Sequence, residues 1–392
     1  MVINQAKLEQ GWEDATELRE AEAISLVNGR SSTLPLHPDF PNLLFLLLTR
    51  NSISMIPEGF FRNMRALTSL DLSFNPIREL PPDIGCLVAL KHLNLNDTSI
   101  CSLPMELGNL TELKYLILTN AESLNSISRG LLSRLQKLEV LSICNTTFRG
   151  WNMEGQASIQ ELICSKITTI SLDLTSLDIV EELSNNPFMS LLWLIITDLE
   201  AVTTLRLQSL LQIGNTRCTL MQLLIWECES LEEIIISSGC LEEFESLERF
   251  DLSNLPALKK ITSAREMRGS LLRNIRFLTI VRCPELKNAT WILQFPFLES
   301  LSIRRCYKME NVIGDEEGGD GGSDEVSLER NEHQALTVFS HLLRMTLVGL
   351  PELRSFSTSA AVFPFLKYLC IDYCPKLDVS PFSHLKIADT MK

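Results

Sequence analysis

The sequence lacks the signatures of several large protein classes. It has no GxxxxGK[ST] phosphate loop, no HExxH metal motif and no CxxC pair, and its histidines are scattered. Apolar runs are short: the run from Leu43 to Leu48 has six residues, whereas a membrane-spanning helix needs about 20. The first 28 residues carry charges throughout and no apolar stretch of the signal-peptide type. Metalloenzymes, P-loop enzymes and bilayer-spanning proteins are therefore disfavoured.

A surplus of positive charge is also missing. The formal net charge is −14, which argues against nucleic-acid binding and against docking on an anionic membrane surface. The 11 cysteines are odd in number and unclustered, which favours a reducing compartment over a disulfide framework. No G-x-S-x-G nucleophile context occurs. We expect no enzyme activity, no catalytic residues, no metal site and no cofactor in this chain.

What the sequence has is a repeat. The segment LTSLDLSFNPIREL, residues 67–80, follows the pattern LxxLxLxx and recurs 23 residues later. The second apolar residue of each copy serves as a marker, and the marker spacings run from 22 to 29 residues, with one gap of 44. The markers are Ile24, Leu46, Leu70, Leu93, Leu116, Leu141, Ile170, Leu194, Leu223, Phe250, Leu278, Leu301, Met345 and Leu369.

This period is that of leucine-rich repeats. We predict an α/β leucine-rich-repeat solenoid, a horseshoe of about 14 repeats with a parallel concave β-sheet. Return segments such as LPPDIGCL suit a turn followed by a short helix or an irregular strand. Asn, Cys or Thr at the turn after each strand is expected to hydrogen-bond backbone groups. Cys228, Cys283, Cys306 and Cys374 occupy that position, so a structural role is favoured over metal binding.

The gap of 44 residues holds an acidic insert, Gly314 to Gln334. It contains eight acidic residues and one Arg, which predicts a disordered loop, and its acids do not match an EF-hand calcium site. The expected organisation is an N-terminal cap or linker over 1–22, the repeat domain over 23–382 with the insert at 314–334, and a C-terminal tail over 383–392.

Side chains that alternate with the buried leucines should form the concave surface. In the early and middle repeats these are Ser69, Asp71, Ser73, His92, Asn94, Asn96, Tyr115, Trp193 and Trp226. In the late repeats they are Arg249, Phe277, Arg304, Arg344, Tyr368 and Asp372, with Arg282, Arg305 and Tyr373 beside them. Arginine and aromatic residues are enriched at binding hot spots. The five arginines predict a basic stripe that binds either an acidic partner or the acidic insert. The alternative is that they lie on an ordinary solvated face.

The stretch LPPDIGCLVALKHLNLNDTSICSLPMELGNLTELKYLIL resembles the repeat region of plant intracellular nucleotide-binding leucine-rich-repeat resistance proteins of the coiled-coil class. CESLEEII and YKMENVIGDEEG are similar to the C-terminal repeats of that family, and WEDATELREAEAISLVN to the segment that joins its nucleotide-binding region to the first repeat. Because that region and its phosphate loop are absent, we expect the chain to be one part of a larger receptor or a truncated product.

The resemblance implies a module that recognises a pathogen effector or a guarded host protein and holds the nucleotide-binding region inactive. It implies a cytoplasmic location, either free or at the periphery of the plasma membrane. Two alternatives remain open: an extracellular receptor ectodomain, which three N-x-[ST] triplets would suit, and a structural adaptor.

Overall fold

The alternation of leucines predicts a strand at every repeat, and the computed structural model has one at each of the fourteen marker residues. The structure describes residues 2–3, 19–29, 33–163, 166–175, 179, 190–199, 201–207, 220–236, 246–263, 274–314, 337–358 and 361–382. The chain divides into unit 1, Met1–Ile195 with Ile213–Thr216, and unit 2, Ile196–Gln212 with Arg217–Lys392. The acidic insert beyond Gly314 and the tail over 383–392 lie outside the described residues, so what was predicted of them stays a prediction.

Unit 1 contains one short strand for each repeat. The strands are β1 Val2–Ile3, β2 Ala23–Ser25, β3 Phe45–Leu47, β4 Ser69–Asp71, β5 His92–Asn94, β6 Tyr115–Ile117, β7 Val140–Ile143, β8 Thr169–Leu174 and β9 Ser190–Thr197, whose last two residues belong to unit 2. From β1 to β8 each strand pairs in parallel with the next, and markers lie opposite each other, as Leu70 lies opposite Leu93. Strand β1 precedes the first repeat that the sequence pattern indicates.

Unit 2 repeats this arrangement with longer strands. They are β10 Thr204–Arg206, β11 Gln222–Trp226, β12 Glu233–Ile236, β13 Arg249–Ser253, β14 Lys260–Ser263, β15 Phe277–Val281, β16 Ser300–Arg304, β17 Asn311–Ile313, β18 Thr337–Val338, β19 Arg344–Val348, β20 Ser355–Ser357, β21 Ala361–Val362 and β22 Tyr368–Asp372. The main sheet has the order β11-β13-β15-β16-β19-β22 and is parallel throughout. The return segments contribute smaller parallel pairings, β10-β12-β14, β17-β20 and β18-β21. The predicted parallel-strand solenoid is confirmed.

Helices are few and short among the described residues, and none of them is long and apolar enough to cross a bilayer. Two α-helices, α1 Leu131–Arg134 and α2 Ile159–Ile163, lie in return segments of unit 1. The remaining helices are 3₁₀ turns at Pro82–Cys86, Met105–Asn109, Thr290–Gln294 and Ser380–Phe382. The first two of these 3₁₀ turns follow LPxx sequences, as the return-segment pattern predicted.

The core is a set of leucine ladders held by polar side chains at the turns. Leu70 and Leu72 are at most 1% exposed, and each such burial contributes about 1.5–3 kcal/mol. At the turn, the amide of Asn75 donates to the carbonyls of Leu48 and Leu72 at 2.8 and 2.9 Å. Thr98 and Cys228 donate in the same way to carbonyls a few residues before them. The predicted hydrogen bonds from the turn position are therefore confirmed.

A cluster of phenylalanines fills the end of unit 2. Phe356 packs edge-on against Phe339, Phe363 and Phe382, with ring centroids 4.9–6.3 Å apart. All four rings are at most 7% exposed. These rings therefore form an aromatic part of the core in the last described repeats.

Candidate functional site

The register of unit 2 places its outward side chains in two rows across the main sheet. Because every strand pairs with the next without slippage, equivalent repeat positions lie side by side. The front row, at the start of the strands, consists of Gln222, Arg249, Phe277, Ser300, Arg344 and Tyr368. The back row, at the end of the strands, consists of Trp226, Ser253, Val281, Arg304, Val348 and Asp372. All of these side chains are half-buried or exposed. Between these two rows the middle residue of each strand is also half-buried, and the residues that flank it are buried, with Ile371 half-buried. The middle residues are Leu224, Asp251, Thr279, Ser302, Thr346 and Cys370.

Two arginines of the front row stack on aromatic neighbours. The Arg249 guanidinium lies 5.0 Å from the centre of the Phe277 ring, and that of Arg344 lies 5.2 Å from the centre of the Tyr368 ring. Such contacts are worth about 0.5–1 kcal/mol at exposed sites. The structure thus brings these four predicted residues together as two pairs. In each pair the guanidinium and the ring together present a flat, positively charged and partly apolar surface. Arginine and aromatic residues are enriched at protein interfaces.

Arg249 has a second neighbour that the repeat pattern did not single out. Its guanidinium lies 4.0 Å from a carboxylate oxygen of Asp251, two residues along the same strand. Burial raises the pKa of Asp251, and a hydrogen bond from Thr279 opposes that rise. The charge of Arg249 is therefore partly balanced within the sheet, which separates it from the other arginines of the predicted basic stripe.

The outward face of unit 1 is polar and its residues also pair. Asn94 donates to a carboxylate oxygen of Asp71 at 3.0 Å, and the rings of His92 and Tyr115 stack with centroids 4.4 Å apart. Ser73 differs from expectation: it is 2% exposed, because its hydroxyl turns inward along the strand end to donate to Asp71 at 2.6 Å. Trp193 is 37% exposed and belongs to unit 1. Trp226 is half-buried in the back row of unit 2.

Within one to three residues after the strand of most repeats lies a residue with a positive φ, and in each unit we call these residues the end ladder. Its members are Asn28, Arg50, Phe74, Asp97, Asn120, Asn145, Asp198, Glu227, Asn254, Arg282, Arg305, Gly349 and Tyr373. Most of these residues donate their N–H to a backbone carbonyl of the following repeat, as Arg282 does to Arg304 at 2.9 Å. That bond offsets the roughly 1–2 kcal/mol cost of the left-handed conformation. Arg282, Arg305 and Tyr373, predicted as site residues, thus lie on a rigid edge of the sheet.

At one place a buried acid replaces this ladder bond. The N–H groups of Asn145 and Thr146 both donate to the carboxylate of Asp173 at 2.8 Å. Asp173 is 4% exposed, and burial raises its pKa to about 6, against the opposing effect of these two bonds. No motif in the sequence marked this residue, because its partners lie one repeat away.

Unit 2 also contains an acidic cavity of about 650 Å³ beside the end ladder. It is lined by Asp198, Leu199, Ala201, Glu227, Glu229, Ser230 and Asn254. Sequence reasoning missed it because its carboxylates come from the turns of two consecutive repeats and its remaining polar lining includes Asn254 of a third. Within unit 2 the end ladder therefore begins with acids, at Asp198 and Glu227, and continues with arginines at Arg282 and Arg305.

Three of the four turn cysteines are buried, and Cys374 is half-buried. Cys283 and Cys306 are fully buried and donate to carbonyls two residues before them. The hydrogen bond between these two thiols lowers the pKa of Cys306 and, together with burial, raises the pKa of Cys283 well above its usual range. Burial likewise raises the pKa of Cys228 to about 11. Their burial and their hydrogen bonds to backbone carbonyls support the structural role.

Comparison with known proteins agrees with this geometry. The family described as leucine rich repeat matches residues 41–100. An internalin from Listeria monocytogenes superposes with a TM-score of 0.50 over 96% of this chain and 88% of its own, at 15% identity, a likeness that concerns the fold alone. The chain has the leucine-rich-repeat fold. Its sequence is also similar to proteins of the plant Arabidopsis thaliana.

Three of those relatives are disease resistance proteins of Arabidopsis thaliana. One probable disease resistance protein is 28% identical over 94% of this chain, and two others are 30% identical over 87% and 94% of it. The predicted resemblance of this leucine-rich-repeat chain to plant resistance proteins is confirmed, while the coiled-coil class stays a prediction. The chain spans 35%, 31% and 40% of the length of these relatives.

Proposed function

We propose that this leucine-rich-repeat chain is the recognition and autoinhibition module of a plant immune receptor. In this proposal it binds a pathogen effector or a guarded host protein and regulates the nucleotide-binding region of the receptor. Its role is non-catalytic, and its partners are proteins. The similarity to Arabidopsis disease resistance proteins over most of the chain supports the receptor context.

The observation that carries the proposal is the front row of unit 2. The sheet fixes its side chains in register, and it presents two arginine–aromatic pairs to solvent. Tyr368 is 62% exposed although it is a large aromatic residue, and Trp226 is half-buried in the back row of the same sheet. Rigid aromatic side chains lose little entropy on binding, and the stacked arginines are partly held in place by their rings, which makes both effective anchors for a protein partner.

The test is a repeat exchange in one of the Arabidopsis relatives. The chosen relative should cause leaf cell death when its repeats are deleted and remain silent when they are present. The repeats are then replaced by residues 19–382 of this chain. We expect the chimera to be silent, because the new repeats restrain the nucleotide-binding region. A chimera as active as the deletion form, at equal protein level, would contradict the proposed autoinhibition.

Recognition is tested separately, with one aromatic side chain from each of the two rows as the variable. The chimera carrying Trp226→Ala with Tyr368→Ala removes two aromatic contacts and leaves the buried ladders unchanged. We expect this variant to lose either repression or the response to a challenging pathogen strain that the unmodified chimera detects. Repression and response both equal to those of the unmodified chimera would show that this face takes no part.

A further inference from the structure

The repeats of unit 2 neutralise their lysines in a regular way. Lys259 pairs with Glu232 at 2.8 Å, and the same pairing recurs at Lys308 with Glu285 and at Lys376 with Glu352, at 2.7 and 2.6 Å. In every case the glutamate lies in the preceding repeat. The arrangement balances charge along the flank of the sheet and needs no external partner.

Three arginines at the strand ends depart from this rule. Arg282, Arg304 and Arg305, which we call the arginine triad, are exposed and form no ion pair with any described residue. By register, the closest carboxylates in the same rows are Glu227 and Asp372, each two strands away. Three positive groups thus stand together on a chain whose net charge is −14.

The backbone holds the triad close together. Strands β15 and β16 are register neighbours, with Val281 opposite Arg304, and the N–H of Arg282 donates to the carbonyl of Arg304. Neighbouring strands lie about 4.8 Å apart, so all three side chains start within one strand spacing. Arg282 and Arg305 are successive members of the end ladder, and their left-handed backbone directs them to the same edge.

A glycine lies beside the triad. The next ladder position is Gly349, with φ +68°, and a Cβ there would lie 3.5 Å from Cγ of Arg305. Arg305 therefore packs against the glycine, which has no side chain of its own to cover the edge. Tyr373, the next member of the end ladder, is 78% exposed. The edge therefore combines three guanidinium groups with an exposed aromatic hydroxyl.

We propose that the arginine triad binds a phosphorylated side chain carried by a protein partner. A phosphate carries up to two negative charges and three acceptor oxygens, whereas a carboxylate carries one charge and leaves most of the triad unbalanced. Guanidinium groups bind phosphate through paired, charge-assisted hydrogen bonds, and arginine clusters are a recurring way to read phosphorylated peptides. This inference rests on the proposed function in one respect, namely that the partner is a protein.

The chain supplies its own conservative substitutions for the test. Asparagine already occupies the end ladder at Asn28, Asn120, Asn145 and Asn254, so Arg282→Asn and Arg305→Asn are compatible with its backbone. Arg304→Gln removes the third charge from within a strand. Lys308→Gln is the matched control. It removes an exposed cation from the repeat of Arg304 and Arg305, and Glu285 already balances the charge of that cation.

The probes are degenerate peptide libraries, each with one fixed central residue, and fluorescence anisotropy measures their binding to the 392-residue chain. Phosphoserine, phosphothreonine and phosphotyrosine libraries are compared with unphosphorylated and glutamate-centred copies. We expect at least one phosphorylated library to bind about tenfold more tightly than both copies. Each triad variant should weaken that binding about tenfold, as the loss of a charged hydrogen bond predicts, and Lys308→Gln should change it less than twofold.

Four results would overturn the proposal, and the first three concern the peptide libraries. They are equal binding of phosphorylated and glutamate-centred libraries, binding unaffected by the triad variants, and no binding of any library. Competition by inorganic phosphate without preference for any phosphopeptide would also overturn it, because the site would then take a free ion. The proposed function would survive each of these results, since the repeat exchange reads repression without a phosphopeptide.

Discussion

Asn75 offers the sharpest test of how the turns hold the repeats together. Its side chain is 1% exposed, and its oxygen accepts hydrogen bonds from the N–H groups of Asn51 and Ile53 at 3.0 and 3.3 Å. Its amide donates three further bonds to backbone carbonyls. Asn75→Ala leaves both N–H groups buried without an acceptor. Each orphaned donor costs about 1–3 kcal/mol, so we expect a loss of about 4 kcal/mol in the free energy of unfolding.

The loss should be local as well as global. Urea unfolding followed by circular dichroism gives the total change, and hydrogen exchange with mass spectrometry locates it. Peptides that cover residues 48–56 should exchange faster in Asn75→Ala, because two of their amides have lost their acceptor. Peptides of unit 2, such as those over β15 and β16, should keep their exchange rates, since repeat stability depends on nearest neighbours.

Asn96→Ala is the matched control. Asn96 is half-buried, and its amide donates to Asp97 at 2.7 Å on the surface of the following turn. We expect a cost of about 1 kcal/mol or less. Equal destabilisation by Asn75→Ala and Asn96→Ala, or unchanged exchange over residues 48–56, would refute the reasoning that the turn asparagine satisfies buried backbone groups.

Three further predictions concern the fold. Leu93→Asp should lower the free energy of unfolding by several kcal/mol, because it buries an unpaired charge. His92→Asp, one residue away and exposed, should lose only the stacking of His92 on Tyr115. Similar urea midpoints for the two variants would exclude the strand register. Phe356→Ala should cost about 3–5 kcal/mol through a cavity in the phenylalanine cluster, against little change for Phe365→Ala, whose ring is 59% exposed. The pKa of Asp173 is about 6 in the folded chain and roughly 3.9 in the unfolded chain. The contribution of Asp173 to stability is therefore fully present below pH 4, and the free energy of unfolding falls by about 3 kcal/mol as the pH rises through 6. Asp173→Asn should flatten that part of the stability curve in urea melts from pH 4 to 7, and an unchanged slope would assign the pH dependence to other groups.

The repeat architecture could be predicted because burial alternates with a period of two within each strand. Leu70 and Leu72 must face the core, and a shift of one residue would expose both, so the sequence pattern determines the register. The turn position was predictable for the same kind of reason, since a buried turn needs a side chain such as Asn75 to satisfy its backbone. These features depend on residues within one repeat.

Features that depend on two or more repeats could not be predicted in this way. Asp173 bonds to N–H groups one repeat earlier and is buried there, whereas the repeat pattern of its own strand, with Ile170 and Leu172 as the apolar residues, places it at an outward position. The left-handed conformation of Arg282 and Tyr373 is imposed by the hydrogen-bonded turn, since neither residue type favours it. Asp251 partly balances the charge of Arg249, so the predicted stripe contains fewer unpaired arginines than the sequence suggested. Only the side-chain geometry distinguishes Arg249 from the others.

The central claim is that the outward arginines of unit 2 meet a protein surface. Its most direct test is charge reversal in the repeat-exchange chimera, with Arg304→Glu and Arg344→Glu combined. The matched control combines Lys308→Glu and Lys376→Glu, exposed lysines that glutamates of the preceding repeats already balance. Leaf cell death is scored with and without pathogen challenge at equal protein levels. The arginine variant should lose either repression or the response to the pathogen, and the lysine variant should retain more of both than the arginine variant does. An arginine variant with normal repression and a normal response would contradict the claim.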